Sequence, residues 1–321
     1  MTKYEPFIKW LNKDAVLEKY LACPEKKKDP SLVYHYTDSV GLRGILANNE
    51  VWLSDRAFMN DSSEGCYILR LCTKDEVISE LPLTLQIPFL KKCSERGKSP
   101  THVARKRNIL VLQCSFSTDG DNLPMWNYYA AKGNCSGGSR KERERIQIHY
   151  RFRKREIIKE KIIINSDTNA MQGGFNIGFN TDELKSSILK YCNDEFNQYS
   201  VVAGSVIYVE RQQIDLINSF MKDAIDELRA IDHDLIWAPD NGIDVFLDCI
   251  IDKLAQLGVF FKHNGFAYED EYRIAVHVMK YKLEGNQATP TLGNWRKRLN
   301  GEIRRTIRFP ILPPNFLGNR L

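Results

Sequence analysis

Two clusters of polar side chains, far apart in the chain, carry residue types that could do chemistry. One is Tyr34-His35-Tyr36-Thr37, which ends an extended apolar run beginning at Leu32, just after Pro30. The other is Glu269-Asp270-Glu271, followed by Arg273 and leading into the strand-like run Ile274-Ala275-Val276-His277-Val278. Three adjacent carboxylates at the start of a strand are costly unless exposed, paired or used, because an ionised carboxylate is expensive to bury alone. Arg273 can meet an anionic group such as a pyrophosphate, or simply pair with Glu269 or Glu271. Between the two clusters stand Ser54, at the end of Val51-Trp52-Leu53, and the pair Asn60-Asp61. A third set is aromatic, Trp126, Tyr128 and Tyr129 after Leu123-Pro124. Trp126 and Tyr129 lie three apart, on one helical face, and either join the core or border a planar ligand such as adenine or nicotinamide.

These side chains need elements to hold them. Asp38 or Ser39 can N-cap a short helix whose Leu42, Ile45 and Leu46 form one buried stripe, and Asn48-Asn49 can end it. Val51 to Leu53 then reads as a second strand. Asp61 followed by Glu64 is a capping-box pattern that opens a helix carrying Tyr67, Ile68, Leu71 and Val77 as far as Pro82. Leu83 to Arg107 reads as a further helical region and Ile109 to Phe116 as a buried strand bounded by turn chemistry. Thr181-Asp182-Glu183 caps another helix, and Ser205 to Val209 reads as a strand. Ile214 to Ile231 and Ile243 to Phe261 give a helical hairpin. An amphipathic helix or helix pair precedes all of this, and Ile303 to Phe309 follows it as an edge strand.

Taken together, HYT, VWLSD, MNDSSE, CSFSTDGDNLPMWNYYA and FAYEDEYRIAV resemble the bacterial domain of unknown function DUF2971, over most of Tyr34 to about Val278. The opening, a strand with His35 and Thr37 followed by a helix with Gly44-Ile45-Leu46, is also similar to the start of the ADP-ribosyltransferase superfamily. The resemblance implies an α+β fold with an ADP-ribosyltransferase-like split mixed or antiparallel β core and surrounding helices, into which this chain inserts a basic β-hairpin. It implies NAD as substrate, with Glu269-x-Glu271 matching the superfamily's Glu-x-Glu, and a protein, nucleic acid or water as acceptor. Glu271 would stabilise the oxocarbenium-like state formed as the nicotinamide bond breaks. His35 would bind the adenine-side ribose with Thr37 beside it, and Tyr36, Trp126 or Tyr129 would stack on a ring. Ser54 is the nearest candidate for the middle catalytic position, and Asn60 and Asp61 would shape the other wall. The sequence departs from the superfamily at Tyr36, where Gly is usual.

With 321 residues, 43% hydrophobic and 27% charged, the chain has the composition of a globular protein. No run of about 18 apolar residues is present, no secretory pattern opens the chain, and a cytoplasmic location without membrane contact is expected. The eight Cys are scattered without metal-site spacing, so no metal is expected. Net charge is +5 and is local, with ten Lys/Arg against four Glu between Arg140 and Lys161. There Ile146, Ile148, Tyr150 and Phe152 alternate with polar and basic residues, the period of a strand. This hairpin is either a solubilising edge or a phosphate-binding face built on Arg151, Arg153, Lys154 and Arg155.

The expected organisation is a helical extension over 1–30, a core over 31–136 and 174–285, a basic insertion over 137–173, and a C-terminal strand and tail over 286–321. Three functions compete. They are an NAD-consuming ADP-ribosyltransferase-like enzyme serving bacterial defence or stress, a nucleic-acid or protein binding module, and a metal-dependent nuclease using Asp61, Glu64, Glu269 and Glu271. Walker loops, nucleophile elbows and His-Glu-x-x-His are absent, which sets those enzyme classes aside.

Overall fold

The computed structural model describes residues 5–11, 14–21, 29–55, 66–97, 109–130, 145–150, 160–162, 174–196, 199–231, 241–279, 281–284, 287–290, 294–297 and 303–310. In chain order the strands are β1 (Leu32–Thr37), β2 (Glu50–Asp55), β3 (Ile109–Ser117), β4 (Arg145–Tyr150), β5 (Glu160–Ile162), β6 (Gly174–Asn180), β7 (Tyr199–Ser205), β8 (Glu271–Met279), β9 (Tyr281–Glu284), β10 (Gln287–Pro290), β11 (Asn294–Lys297) and β12 (Ile303–Pro310). The helices are α1 (Glu5–Leu11), α2 (Asp14–Leu21), α3 (Ser39–Asn48), α4 (Tyr67–Leu71), α5 (Asp75–Ile78), α6 (Leu83–Arg96), α7 (Thr181–Glu195), α8 (Glu210–Ile231) and α9 (Asn241–Leu257).

Six strands form an antiparallel sheet around β3. One edge of β3 pairs with β8 along its whole length, from Ile109 opposite Met279 to Ser117 opposite Glu271, and β7 pairs with the far side of β8. The other edge of β3 is shared. β2 pairs there at Gln113 and Leu112, while β1 pairs only at Ser117 and then runs with β6 instead. The sheet therefore forks between β1 and β2, leaving part of the β3 edge between them. Beyond these six, β4 lies parallel to β6, β5 pairs with β4, and β12 and β11 extend the β2 side. Strands β9 and β10 form a separate pair.

Strand alternation divides the apolar side chains between the two faces of the sheet. Val111, Val202 and Ala275 face a large core built with α1, α2, α4, α6, α8 and α9. Leu112, Cys114, Phe116, Tyr272, Ile274 and Val276 face a second core, closed by Leu184, Ile188 and Cys192 of α7 and by Leu42 and Ile45 of α3. The caps of α3 follow from its sequence. Asp38 accepts a hydrogen bond from Gly41 N at 2.8 Å, and Asn49 adopts the left-handed conformation (φ 50°) that ends the helix.

Several elements differ from the sequence expectation. The helix expected from Asp61 to Pro82 is broken after Leu71, where the Thr73 hydroxyl donates to Arg70 O at 2.8 Å, a contact that competes with the helical ladder. Residues 61–65 lie outside the described residues. The strand expected at Ser205 to Val209 is instead β7, ending at Ser205, with only a bridge from Ile207 to Phe261 beyond it. Asn180, not Thr181, caps α7 by accepting from Glu183 N. Strand β12 is internal, paired to β2 on one side and β11 on the other, so among the described residues β11 is the edge on this side. Of the basic insertion, β4 and β5 pair antiparallel from Arg145 opposite Ile162, and the residues between them, 151–159, lie outside the described residues. Among the described residues no helix is long and apolar enough to cross a membrane.

Candidate functional site

At the start of β8 the two glutamates turn inward. A 3-10 turn, Asn264–Glu269, delivers Glu269, and Asp270 follows in the left-handed conformation (φ 42°), which reverses the chain into β8. Three contacts stitch this turn to the end of β3, one of them from the Thr118 hydroxyl to the Asp270 carboxylate. Ser117 Oγ donates to Glu269 O at 2.9 Å, and Thr118 N donates to Asp270 O at 2.8 Å.

Glu269, Glu271, Lys262 and Arg273 form a buried ionic network with two charges of each sign. Arg273 is fully buried and grips Glu271 with Nε at 3.2 Å from Oε1 and Nη2 at 2.7 Å from Oε2. Its third nitrogen, Nη1, donates to Val259 O at 2.6 Å. Lys262 bridges the glutamates, with Nζ at 2.6 Å from Glu269 Oε2 and 3.3 Å from Glu271 Oε2. Tyr208 Oη accepts from Glu271 N at 3.0 Å. Burial acts to raise the Glu271 pKa, but the adjacent Arg273 and Lys262 charges outweigh it and hold the carboxyl below its usual range. Glu269 moves the other way, raised by burial and then by the neighbouring Glu271 charge.

A short helical turn, Leu123–Met125, continues into a π-helical turn, Trp126–Ala130, beside this network. Tyr36 sets its position. The Tyr36 hydroxyl donates to Asp119 O at 2.7 Å and accepts from Asn122 N at 2.8 Å. Asn122 then donates to Tyr268 O at 2.6 Å and caps the turn by accepting from Met125 N. Trp126 packs edge-on to Tyr36 with ring centroids 5.1 Å apart and donates to Asp121 at 2.9 Å. These two aromatics are thus buried against each other, whereas the next two face outward. Tyr128 is 59% exposed and lies 6.1 Å from Tyr268, which is 39% exposed. Phe266 lies 6.4 Å from Tyr268 and sits under Lys262 Nζ at 4.6 Å. Tyr129 reaches back, its hydroxyl donating to Glu269 Oε1 at 3.3 Å.

The structure therefore brings together Glu269, Glu271, Arg273 and Tyr129, with Trp126 and Tyr36 supporting the turn beside them. It does not bring His35 to them. The pairing registers place Tyr34 opposite Ser117 and Ser117 opposite Glu271, so Tyr34 and Glu271 share a face. His35, one residue on, turns to the other face, where its ring meets Phe116 at 5.9 Å. Its Nδ1 lies 3.5 Å from Ser115 O, on the β3 edge that the fork leaves open. Burial lowers the His35 pKa, opposed in part by that carbonyl. Thr37 packs beneath the first turn of α3, so close that a Cβ on Gly41 would fall 2.0 Å from its hydroxyl. Ser54 lies on β2, opposite Gln113 and Thr306. Asn60, Asp61, Arg151, Arg153, Lys154 and Arg155 lie outside the described residues.

Sequence reasoning missed Lys262, Tyr208, Phe266 and Tyr268. The one available signal was a lysine directly after Val259-Phe260-Phe261, a charge in an apolar run that calls for a buried partner. A separate depression of about 470 Å³ lies between α2 and α8, but Asp223 in its wall is already bound by Lys19 and Tyr20. Among the described residues no group of three or more His, Cys, Asp or Glu side chains is placed to hold a metal ion.

No curated protein and no solved structure matches the chain. Residues 166–274, which carry β6 to the first residues of β8 and with them all four members of the ionic network, match the family model described as protein of unknown function (DUF2971).

Proposed function

We propose that the chain is an NAD-consuming enzyme of ADP-ribosyltransferase-like chemistry, passing ADP-ribose to a macromolecule or to water. The observation that carries this proposal is a carboxylate, Glu271, paired to two buried cations beside an outward-facing aromatic surface. Breaking the nicotinamide bond builds positive charge on the ribose, and a carboxylate kept ionised in a site of low dielectric opposes that charge effectively. Lys262 and Arg273 supply the condition, since they hold Glu271 in its charged form. His35 takes no direct part in this scheme and serves the β1–β3 fork.

A binding module without chemistry is the second reading. It is favoured by the saturation of Glu271, whose two oxygens both carry cation contacts. The nuclease gains no comparable support, because Glu269 and Glu271 already hold Lys262 and Arg273, and Asp61 and Glu64 lie outside the described residues. Nicotinamide release from NAD, with and without cell extract and nucleic acid, separates the first two. In a folded Glu271→Gln variant release should fall by roughly a hundredfold or more. No release from the native protein would move the weight to the binding module, and unchanged release in the variant would take the catalytic role away from Glu271.

A further inference from the structure

We propose that Glu269 and the Tyr128–Tyr268 surface form a subsite for a planar heteroaromatic ring bearing an N–H donor, with Glu269 Oε1 as the acceptor. This rests on the reading of the same face as a nucleotide site, and it assigns the two glutamates different roles. Glu271 is committed, gripped by Arg273 through both oxygens and by Lys262 through one. Glu269 spends only Oε2 on Lys262. Its Oε1 meets the Tyr129 hydroxyl at 3.3 Å, a length at the outer end of useful hydrogen bonding and easily replaced.

The surroundings of that oxygen fit a ring. Tyr268 precedes Glu269 in the chain and Tyr128 precedes Tyr129, and the two exposed rings lie 6.1 Å apart at an interplanar angle of 36°. Leu123, 52% exposed, lies on the short helical turn that leads into the one bearing Tyr128. Exposed tyrosines offer stacking area that any planar base can use. The π-helical turn that carries Tyr128 and Tyr129 is a rare form found often at functional sites. An incoming amide or amine would displace the Tyr129 hydroxyl and donate to Glu269, while its ring lies on Tyr128 and Tyr268.

The test uses the full chain and two small probes of the same shape, nicotinamide, which has an N–H donor, and nicotinic acid, which has none. In ligand-observed NMR titrations the native protein should bind nicotinamide at least tenfold more tightly than nicotinic acid. Tyr128→Ala and Tyr268→Ala alter exposed side chains and should each weaken nicotinamide roughly tenfold. Glu269→Gln should weaken it by a similar factor, because the acceptor loses its charge. Tyr129→Phe keeps the ring, removes the competing hydroxyl and should tighten binding severalfold. Equal binding of both probes, unchanged binding in the two alanine variants, or no nicotinamide binding would overturn the subsite. NAD cleavage that ignores these substitutions would sink the subsite and leave the enzyme standing. Nicotinamide binding that obeys them, with no cleavage of NAD, would do the reverse.

Discussion

His35 is the residue whose role changes most between sequence and structure. On the sequence it stands in a cluster with Thr37, and the resemblance to ADP-ribosyltransferases implies a ribose ligand there. In the fold it faces away from Glu271 and places Nδ1 against Ser115 O, at the edge of β3 that neither β1 nor β2 covers. A pH dependence follows. Burial lowers the folded pKa of His35 below its unfolded value of about 6.5, so the unfolded chain takes up its proton first. Stability is therefore full above about pH 6.5 and falls with pH until the lowered folded pKa is reached. The slope is at most about 1.4 kcal/mol per pH unit for one group. Chemical denaturation of the native protein and His35→Gln between pH 5 and 7.5 checks this, and the variant should show a flatter profile by up to one proton. The Glu-x-Glu pair was legible as paired carboxylates, and Arg273 as a partner of one of them. Lys262 was not, because its meeting with Glu269 depends on how the turn folds back.

At the scale of elements, close packing of α4 against the end of α9 shows how little freedom the helical layer has. A Cβ added to Gly258, just after α9, would lie 2.4 Å from Ile68 Cγ2 and 2.8 Å from its Cβ. Ile68 is fully buried and cannot swing away. Gly258→Ala should therefore destabilise the protein by about 1–3 kcal/mol, the usual cost of overpacking a well-filled core. A urea melt measures it directly, and Gly44→Ala provides a control, since an added Cβ there meets nothing within 4 Å. Most helices were legible because their apolar stripes recur at helical spacing. The break after Leu71 was not, since no Gly or Pro marks it in the sequence.

For the whole molecule, the fork in the sheet and the return of the C-terminal segment matter most. Strand β12 pairs with β2 from Thr306 opposite Ser54 to Pro310 opposite Glu50, more than 240 positions away in the chain. A chain ending before Ile303 would leave that edge of β2 unpaired, with Trp52 already exposed on it. Unpaired strand edges template association. Light scattering during heating should show the shortened chain aggregating at a lower temperature than the native one, and equal behaviour of the two would mean that β12 adds no protection.

Periodicity and turn chemistry in the sequence were enough to place β1, α3, β2, β3, α8, α9 and β8, because these signals arise between residues close together in the chain. The same local logic located both polar clusters and the aromatic turn. Strand pairing settled the rest. Which face each side chain occupies depends on register, and a shift of one residue reverses it. Register is set by contacts between strands far apart in the chain. That is why Glu269, Glu271, Lys262 and Arg273 converge under the outward-facing tyrosines, and why His35, beside them in motif, is not among them in space.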